Sequence, residues 1–555
     1  MKPQDAQKLA RRFIELPQEK RSIFLAAMDR EGVDFSLLPI VACDGVAERD
    51  GLSYAQQRMW FLWQMEPDSP AYNVGGMARF TGVLDVACFE AALQALIQRH
   101  ETLRTTFPSR NGVAHQRVSS ENGVRLAWKD FSALEREARE QRLQQLADSE
   151  AHLPFDLETG PLLRACLVKA AEQEHYFVLT LHHIVTEGWA MDIFARELSA
   201  LYEAFIEQRE SPLPPLPVQY LDYSVWQRQW LESGERQRQL DYWTAQLGNE
   251  HPLLELPGDR PRPPVQSHRG ELYRFDLDDE LAARVRAFNA QHGLTLFMTM
   301  TAALSVLLYR YSGQTDLRIG APVANRIRPE SEGLIGAFLN TQVLRCQLDG
   351  QMRVGELFEQ VRHTVIEGQS HQDLPFDHLV EALQPPRSAA YNPLFQVMCN
   401  VQRWEFQQSR TLGDMRVEYL VNDARATKFD LNLEVTDLDH RLGCCLTYST
   451  DLFDEPRIAR MAARSAATPE RIAAAAGRRA TGAVRQPRCA SRRAAARPVH
   501  SSTVPPTGRS PAGCAGTDLC RPDPELRRTQ RPGQPPGLAP MCRWTRNTRS
   551  IACIT

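Results

Sequence analysis

The chain has 555 residues, 43% of them apolar and 24% charged, with a formal net charge of -3. These values suit a globular protein and point away from an obligate nucleic-acid partner. No run of about 18 apolar residues occurs, which predicts no membrane span. The start "MKPQDAQKLARRF" lacks the apolar core of an export signal, so a cytoplasmic location is expected.

Twelve cysteines occur without a CxxC pair, which predicts reduced thiols and no zinc site. Cys444 and Cys445 are adjacent in a strand-like run and read as small buried residues.

Residues 1–48 read as a helical leader or linker. Within it, "KRSIFLAAMDREG" sets Ile23, Phe24, Ala27 and Met28 on one helical face and stops near Gly32. Next, "GGMARFTGVL" has strand character. "DVACFEAALQALIQRHETLRTTF" then places Phe89, Leu93, Leu96 and Ile97 at helical spacing, with Asp85 as the N-cap. Residues 176–181 form a short apolar strand, and Phe194, Leu198, Leu201 and Phe205 line one face of the next helix.

Proline-rich connectors at 211–217 and 256–265 mark a change of segment. The second half predicts a strand "GELYRFDL", a helix "DDELAARVRAFNAQHG" and an apolar helix from Thr295 to Tyr309. It then predicts strands in "TDLRIGAPVANR", "LIGAFLNTQVLRCQL", "PLFQVMCNVQ" and "RLGCCLTYS". Mixed strands and helices in two similar halves predict an α/β (α+β) fold of two lobes, 49–225 and 226–456.

Composition breaks near Pro456. Positions 457–555 hold 19 Arg, no Lys, 4 acidic residues, no Phe and no Tyr. Such a segment offers too little apolar surface to offset the entropy of ordering it, so a disordered tail is expected. Its Arg, Ala, Pro and Gly content also fits a shifted reading frame in a GC-rich gene. A natural disordered linker is the alternative, and a basic tail touching nucleic acid is disfavoured because the segment has no aromatic stacking pattern.

The chemistry-bearing stretch is "YFVLTLHHIVTEGWAMDIFARELSALY", where an apolar strand ends in His182-His183 and a helix follows. Imidazole exchanges protons near neutrality, so a histidine at such a junction suits general base or positioning work. Core histidines bonded to backbone are the competing reading. A metal set of His182, His183 and Glu187 is disfavoured, because strand neighbours point to opposite faces and HExxH spacing is absent. If His183 faces a cleft, His182 faces inward. Glu187 then orients the turn through an arginine, and Gly188 brings its N–H close to a substrate oxygen.

With these residues in place, the chain resembles the condensation domain of nonribosomal peptide synthetases over about residues 51–456. "LSYAQQRMWFLW", "RHETLRTTF", "HHIVTEGWA", "YLDYSVWQRQW", "IGAPVANRIRPESEGLIGAFLNT", "HQDLPFDHLVEAL" and "NPLFQVMCN" follow the family motifs in order, the third being the HHxxxDG motif. "WFLWQMEPDSPAYN" is reminiscent of pseudomonad siderophore synthetases.

The resemblance implies two chloramphenicol-acetyltransferase-like lobes in a V with a tunnel between them. It implies upstream and downstream carrier domains as partners, each presenting a thioester on a phosphopantetheine arm, and no bound cofactor or metal. The implied reaction joins a donor acyl or peptidyl group to an acceptor amine. Alternatives are a non-catalytic carrier-docking module and a free-standing CoA-dependent acyltransferase of related fold.

By the resemblance, His183 orients the amine or accepts its proton, His182 is structural, and Gly188 approaches the thioester. Arg326, or failing that Arg104, pairs with the motif carboxylate. That carboxylate is aspartate in the family and Glu187 here, one methylene longer. The His pair argues against heterocyclisation domains, and the first and later motifs argue against epimerisation domains. An adenylation domain and a carrier motif, which normally follow, are not seen after Phe453, so the sequence reads as a truncated synthetase whose carriers come in trans.

Overall fold

The computed structural model describes residues 2–33, 35, 38–43, 50–120, 123–402, 410–420, 427–438 and 441–465. In chain order the helices are α1 (Pro3–Glu15), α2 (Gln18–Arg30), α3 (Tyr54–Met65), α4 (Val86–Arg99), α5 (Arg136–His152), α6 (Gly188–Ile206) and α7 (Tyr220–Trp230). They continue as α8 (Arg236–Leu247), α9 (Asp279–His292), α10 (Leu296–Ser312), α11 (Val354–Gln369), α12 (Phe376–Leu383) and α13 (455–465). The main strands are β1 (Asn73–Thr81), β2 (Leu126–Asp130), β3 (Leu163–Ala171), β4 (Glu174–His182), β5 (Gly270–Leu277) and β6 (Asp316–Val323). After these come β7 (Asn340–Gln347), β8 (Val397–Gln402), β9 (Arg410–Leu412), β10 (Met415–Leu420), β11 (Leu431–Leu438) and β12 (Arg441–Ser449).

These strands form two six-stranded sheets, ordered β9-β10-β1-β4-β3-β2 and β7-β6-β8-β11-β12-β5. In the first, β1 and β4 are antiparallel, with Asn73 opposite His182 and Thr81 opposite Glu174. In the second, β8 runs parallel to β11 and β12 antiparallel to β5. One crossing has no signal in the hydrophobic pattern: β10, late in the chain, returns to pair with β1, Met77 facing Leu420.

Local chemistry explains where elements start. Ser53 caps α3, its Oγ accepting from the Gln56 N–H at 3.1 Å while Gln56 Oε1 accepts from the Ser53 N–H at 3.0 Å. Asp85 caps α4 by accepting from the Cys88 N–H at 2.9 Å. Thr295 caps α10 in the same way.

Period-2 alternation divides β4 between two faces. Phe177, Leu179 and Leu181 join the core made with Phe89, Leu93 and Leu96 of α4 and Phe194, Leu198 and Leu201 of α6. Val178 instead meets Leu143 of α5 on the opposite face. Helices α9, α10 and α11 close the second core over Ile319, Val397, Leu433 and Leu446. The leader buries Phe13, Ile14 and Met28 against Tyr220, Trp226 and Phe338.

Four expectations need correcting. Residues 457–465, expected in the disordered tail, are helical, because Ile458, Met461 and Ala462 have the second core to pack against. Ile23 is 65% exposed, because α2 contributes only Met28 as a fully buried contact. Phe205, in the last turn of α6, is 39% exposed. In "LIGAFLNTQVLRCQL" the strand begins only at Asn340, since the Phe338 and Leu339 amides are committed to a side-chain carboxylate rather than to a ladder.

The compositional break at 456 falls inside α13. Ile458, Met461 and Ala462 recur at helical spacing and enter the second core fully buried. The rest of the Arg-rich segment, from 466, lies outside the described residues. Among the described residues no single helix is long and apolar enough to cross a membrane. The described cysteines, including Cys444 and Cys445, form no disulfide among themselves.

Candidate active site

His182 ends β4, and there the ladder stops. Its backbone N–H donates to Leu162 O at 3.1 Å, and its Nδ1 accepts from the Ile184 N–H at 3.1 Å. That acceptance puts the proton of the neutral ring on Nε2. The ring is 3% exposed, between the rings of Tyr72 and Phe155 with centroids 6.3 and 6.1 Å away. Burial, with the charges of His183 and Lys428, lowers its pKa to about 3.

His183 leaves the strand and opens a single 3-10 turn, His183–Val185. Strand alternation therefore governs His182 only; the change of element is what separates the two rings. The His183 N–H donates to Tyr72 O at 2.8 Å, and His183 O accepts from the Thr186 N–H at 3.3 Å. His183 is half-buried, and its Nδ1 is buried without a hydrogen-bond partner of normal geometry. Burial first, then the charges of Lys428 and Arg58, lowers its pKa to about 4. Both imidazoles are neutral at neutral pH.

Glu187, 1% exposed, stands at the N-cap of α6. Its Oε1 accepts from Arg326 Nε at 2.9 Å and has Nη2 of the same guanidinium 2.9 Å away as an ion pair, and its Oε2 accepts from the Phe338 and Leu339 amides at 2.9 and 2.7 Å. Three hydrogen bonds and a guanidinium charge on two oxygens suit the ionised carboxylate. Burial raises its pKa, and the guanidinium and amides oppose that rise. Arg326 also donates to Leu334 O at 2.8 Å and lies 4.0 Å from the Phe338 ring centre. The turn after the histidines is thus clamped to residues 326–339 of the second half.

Arg104 is elsewhere. It meets Glu101 at 3.7 Å and donates to Ser119 O, so the carboxylate partner is Arg326.

Gly188 opens α6 and is exposed; an added Cβ would meet nothing within 4 Å. Packing does not demand glycine here. The open space continues into a cavity of about 780 Å³ between α6 and the first sheet. Its wall includes Gly188, Met191, Leu198, Phe80, Leu412 and Val417. His183 is not part of that wall; Gly188 is the nearer site residue. By contrast Gly336 is required by packing, since a Cβ there would fall 1.9 Å from the Tyr220 ring.

Three contributors were not singled out from the sequence. Tyr72 receives the His183 N–H, and Lys428 Nζ lies 3.8 Å from the centre of the Tyr72 ring. Arg58 of α3 faces the same histidine and meets Asp377 at 3.6 Å. Arg58 and Lys428 are far apart in sequence from the HHxxxDG motif, and only the fold brings them to it. Among the described residues, no group of three His, Cys, Asp or Glu side chains gathers as a metal site.

A family model, the condensation domain, matches residues 47–479. A linear gramicidin synthase of Brevibacillus parabrevis is 46% identical over 413 residues, covering 74% of this chain and 5% of that protein. Phosphinothricin tripeptide synthetase PhsC of Streptomyces viridochromogenes is 38% identical, covering 76% of this chain and 39% of that one. The chain thus spans only a small part of these curated relatives' length.

Among solved structures, the X-domain from teicoplanin biosynthesis aligns with a TM-score of 0.70 at 30% identity, covering 79% of this chain and 98% of that one. The starter condensation domain of rhizomide synthetase RzmA aligns with a TM-score of 0.65 at 23% identity, covering 77% of this chain and 95% of that one, a likeness of fold. With the HHxxxDG-type turn clamped between two sheets and a family model matching most of its length, this chain belongs to the condensation-domain family.

Proposed function

We propose that this chain joins a carrier-bound acyl or peptidyl thioester to the amine of a carrier-bound aminoacyl thioester. The amine lone pair attacks the thioester carbonyl, a C–N bond forms and the C–S bond breaks. The amine's surplus proton passes to the departing thiolate. The phosphopantetheine arms belong to the carriers and enter as part of the substrates, from upstream and downstream carrier domains in the cytoplasm.

The observation that carries this reading is the position of His183. It is a neutral, half-buried imidazole on a turn that Glu187 and Arg326 tie to the second half of the chain. A neutral imidazole can accept the amine's proton or hold the amine by its lone pair. An α-amine with a pKa near 8 is already partly neutral at pH 7, so orientation contributes beside basicity. His182 supports the turn. Gly188 leaves room for a thioester, whose acyl part fits the largely apolar cavity beyond it.

The test supplies one acyl-loaded and one aminoacyl-loaded carrier and looks for amide product. Product that disappears in His183→Ala supports the reading. Carrier binding without product favours a docking module. Turnover of acyl-CoA with no carrier present favours a free-standing acyltransferase.

A further inference from the structure

Lys428 lies three residues before β11, in the second half of the chain, on a firmly held segment. The preceding Thr427 N–H donates to His268 O at 2.9 Å, and the Lys428 carbonyl accepts from Asn392 Nδ2. Two residues on, the Asp430 N–H donates to Gln396 O at 3.0 Å, and its carboxylate accepts from Arg262 Nη1 at 2.8 Å. From this anchorage the side chain reaches to Tyr72, just before β1 of the first sheet, and sets its ammonium 3.8 Å from the ring centre. The carbonyl of that same Tyr72 receives the His183 N–H.

Among the described residues no carboxylate pairs with the ammonium. The ammonium of the half-buried Lys428 rests on the face of an aromatic ring, a placement that holds a cation close to the turn His183 opens.

Titratable and charged groups face His183 from its own turn, from α3 and from the segment leading into β11. On its own turn are His182, neutral, and Glu187, whose charge is matched by Arg326. From α3 comes Arg58, which has Asp377 at 3.6 Å. From the segment leading into β11 comes Lys428, whose positive charge, like that of Arg58, disfavours the imidazolium. Burial first, then Arg58, brings the Lys428 pKa down to about 7. Below that pH it is a cation, so it is charged across the range in which His183 would take up a proton.

Resting on the function proposed above, we propose that Lys428 is a positioning residue for the reaction: seated on Tyr72, its ammonium keeps the neighbouring His183 imidazole in the neutral form that serves the amine. A cation beside imidazole disfavours imidazolium, so removing it favours proton uptake. A residue at the entry to the second sheet thereby adds to burial in holding neutral a histidine just past the end of the first.

The test follows His183 itself, in the full chain with labelled histidine, by NMR titration between pH 4 and 8. His183→Ala assigns the signal. Lys428→Met keeps the length of the side chain and removes its charge; Lys428→Arg keeps the charge. The expected result is an upward move of the His183 midpoint by roughly one unit or more in Lys428→Met, with Lys428→Arg close to the parent. Superimposed titrations of Lys428→Met and the parent overturn the proposal.

With loaded carriers, the acid limb of the pH–rate profile should move up by the same interval in Lys428→Met. A uniform loss of rate at every pH, with no move of the limb, also overturns it. Should no variant make amide at any pH, the condensation reading fails, while the imidazole titration still decides the role of Lys428.

Discussion

Arg326 holds Glu187 through two nitrogens of one guanidinium, each 2.9 Å from the same carboxylate oxygen. The other oxygen gathers the Phe338 and Leu339 amides. Glu187→Ala strands Arg326, 2% exposed, without its counter-charge, a loss that typically costs about 3–5 kcal/mol. Glu187→Asp keeps the charge but is one methylene short of serving both sets of donors, so its cost should be smaller. Urea melts should rank the parent above Glu187→Asp and Glu187→Ala last. Equal midpoints for the two variants would rule out the clamp.

The two histidines should fail in different ways. His182 is enclosed by Tyr72 and Phe155 and accepts the Ile184 amide, so His182→Ala leaves a cavity and an unpaired N–H. The expected effect is a clear drop in melting temperature, on the order of 2–4 kcal/mol. His183→Ala should change melting much less and remove amide formation. Thermal melts beside product assays separate the two.

Gly188 gives a complementary prediction. Alanine there meets no protein atom within 4 Å and favours the first turn of α6. Gly188→Ala should therefore melt no lower than the parent. If the space beside it receives the thioester, the same methyl group should slow amide formation by about tenfold or more.

Stability should also depend on pH through Lys428. Its ordinary pKa of 10.5 falls to about 7 in the folded chain. Between those values the unfolded chain binds a proton that the native chain does not. Stability from this group is therefore fully present above about pH 10.5 and is lost as pH falls to 7, by up to about 1.4 kcal/mol per unit. Subtracting the Lys428→Met stability profile from that of the parent isolates this slope. His183, at about 4 against an ordinary 6.5, adds a second loss of stability as pH falls from 6.5 to 4.

What the sequence could show depended on how far apart in the chain the partners lie. Short-range rules located β4, its end at His182 and the capped start of α4, because periodicity and capping are local. The arginine opposite Glu187 was reachable through the motif at 319–341, since two motifs of one site suggest one another. The Tyr72–Lys428 contact was not, because a lone lysine before an apolar strand looks like many solvated lysines.

The return of β10 to the first sheet was hidden for a similar reason: an alternating strand does not say which sheet it joins. At the C-terminal end, averaging over the Arg- and Ala-rich residues 457–555 obscured Ile458, Met461 and Ala462. Met461→Ala should cost about 2–5 kcal/mol in a urea melt if α13 is part of the second core.

The most direct measurement is amide formation between an acyl-loaded and an aminoacyl-loaded carrier, compared for the parent chain and His183→Ala. A catalytic His183 predicts product with the parent and only background with the variant, both chains melting at similar temperatures. Equal product from the two would contradict it.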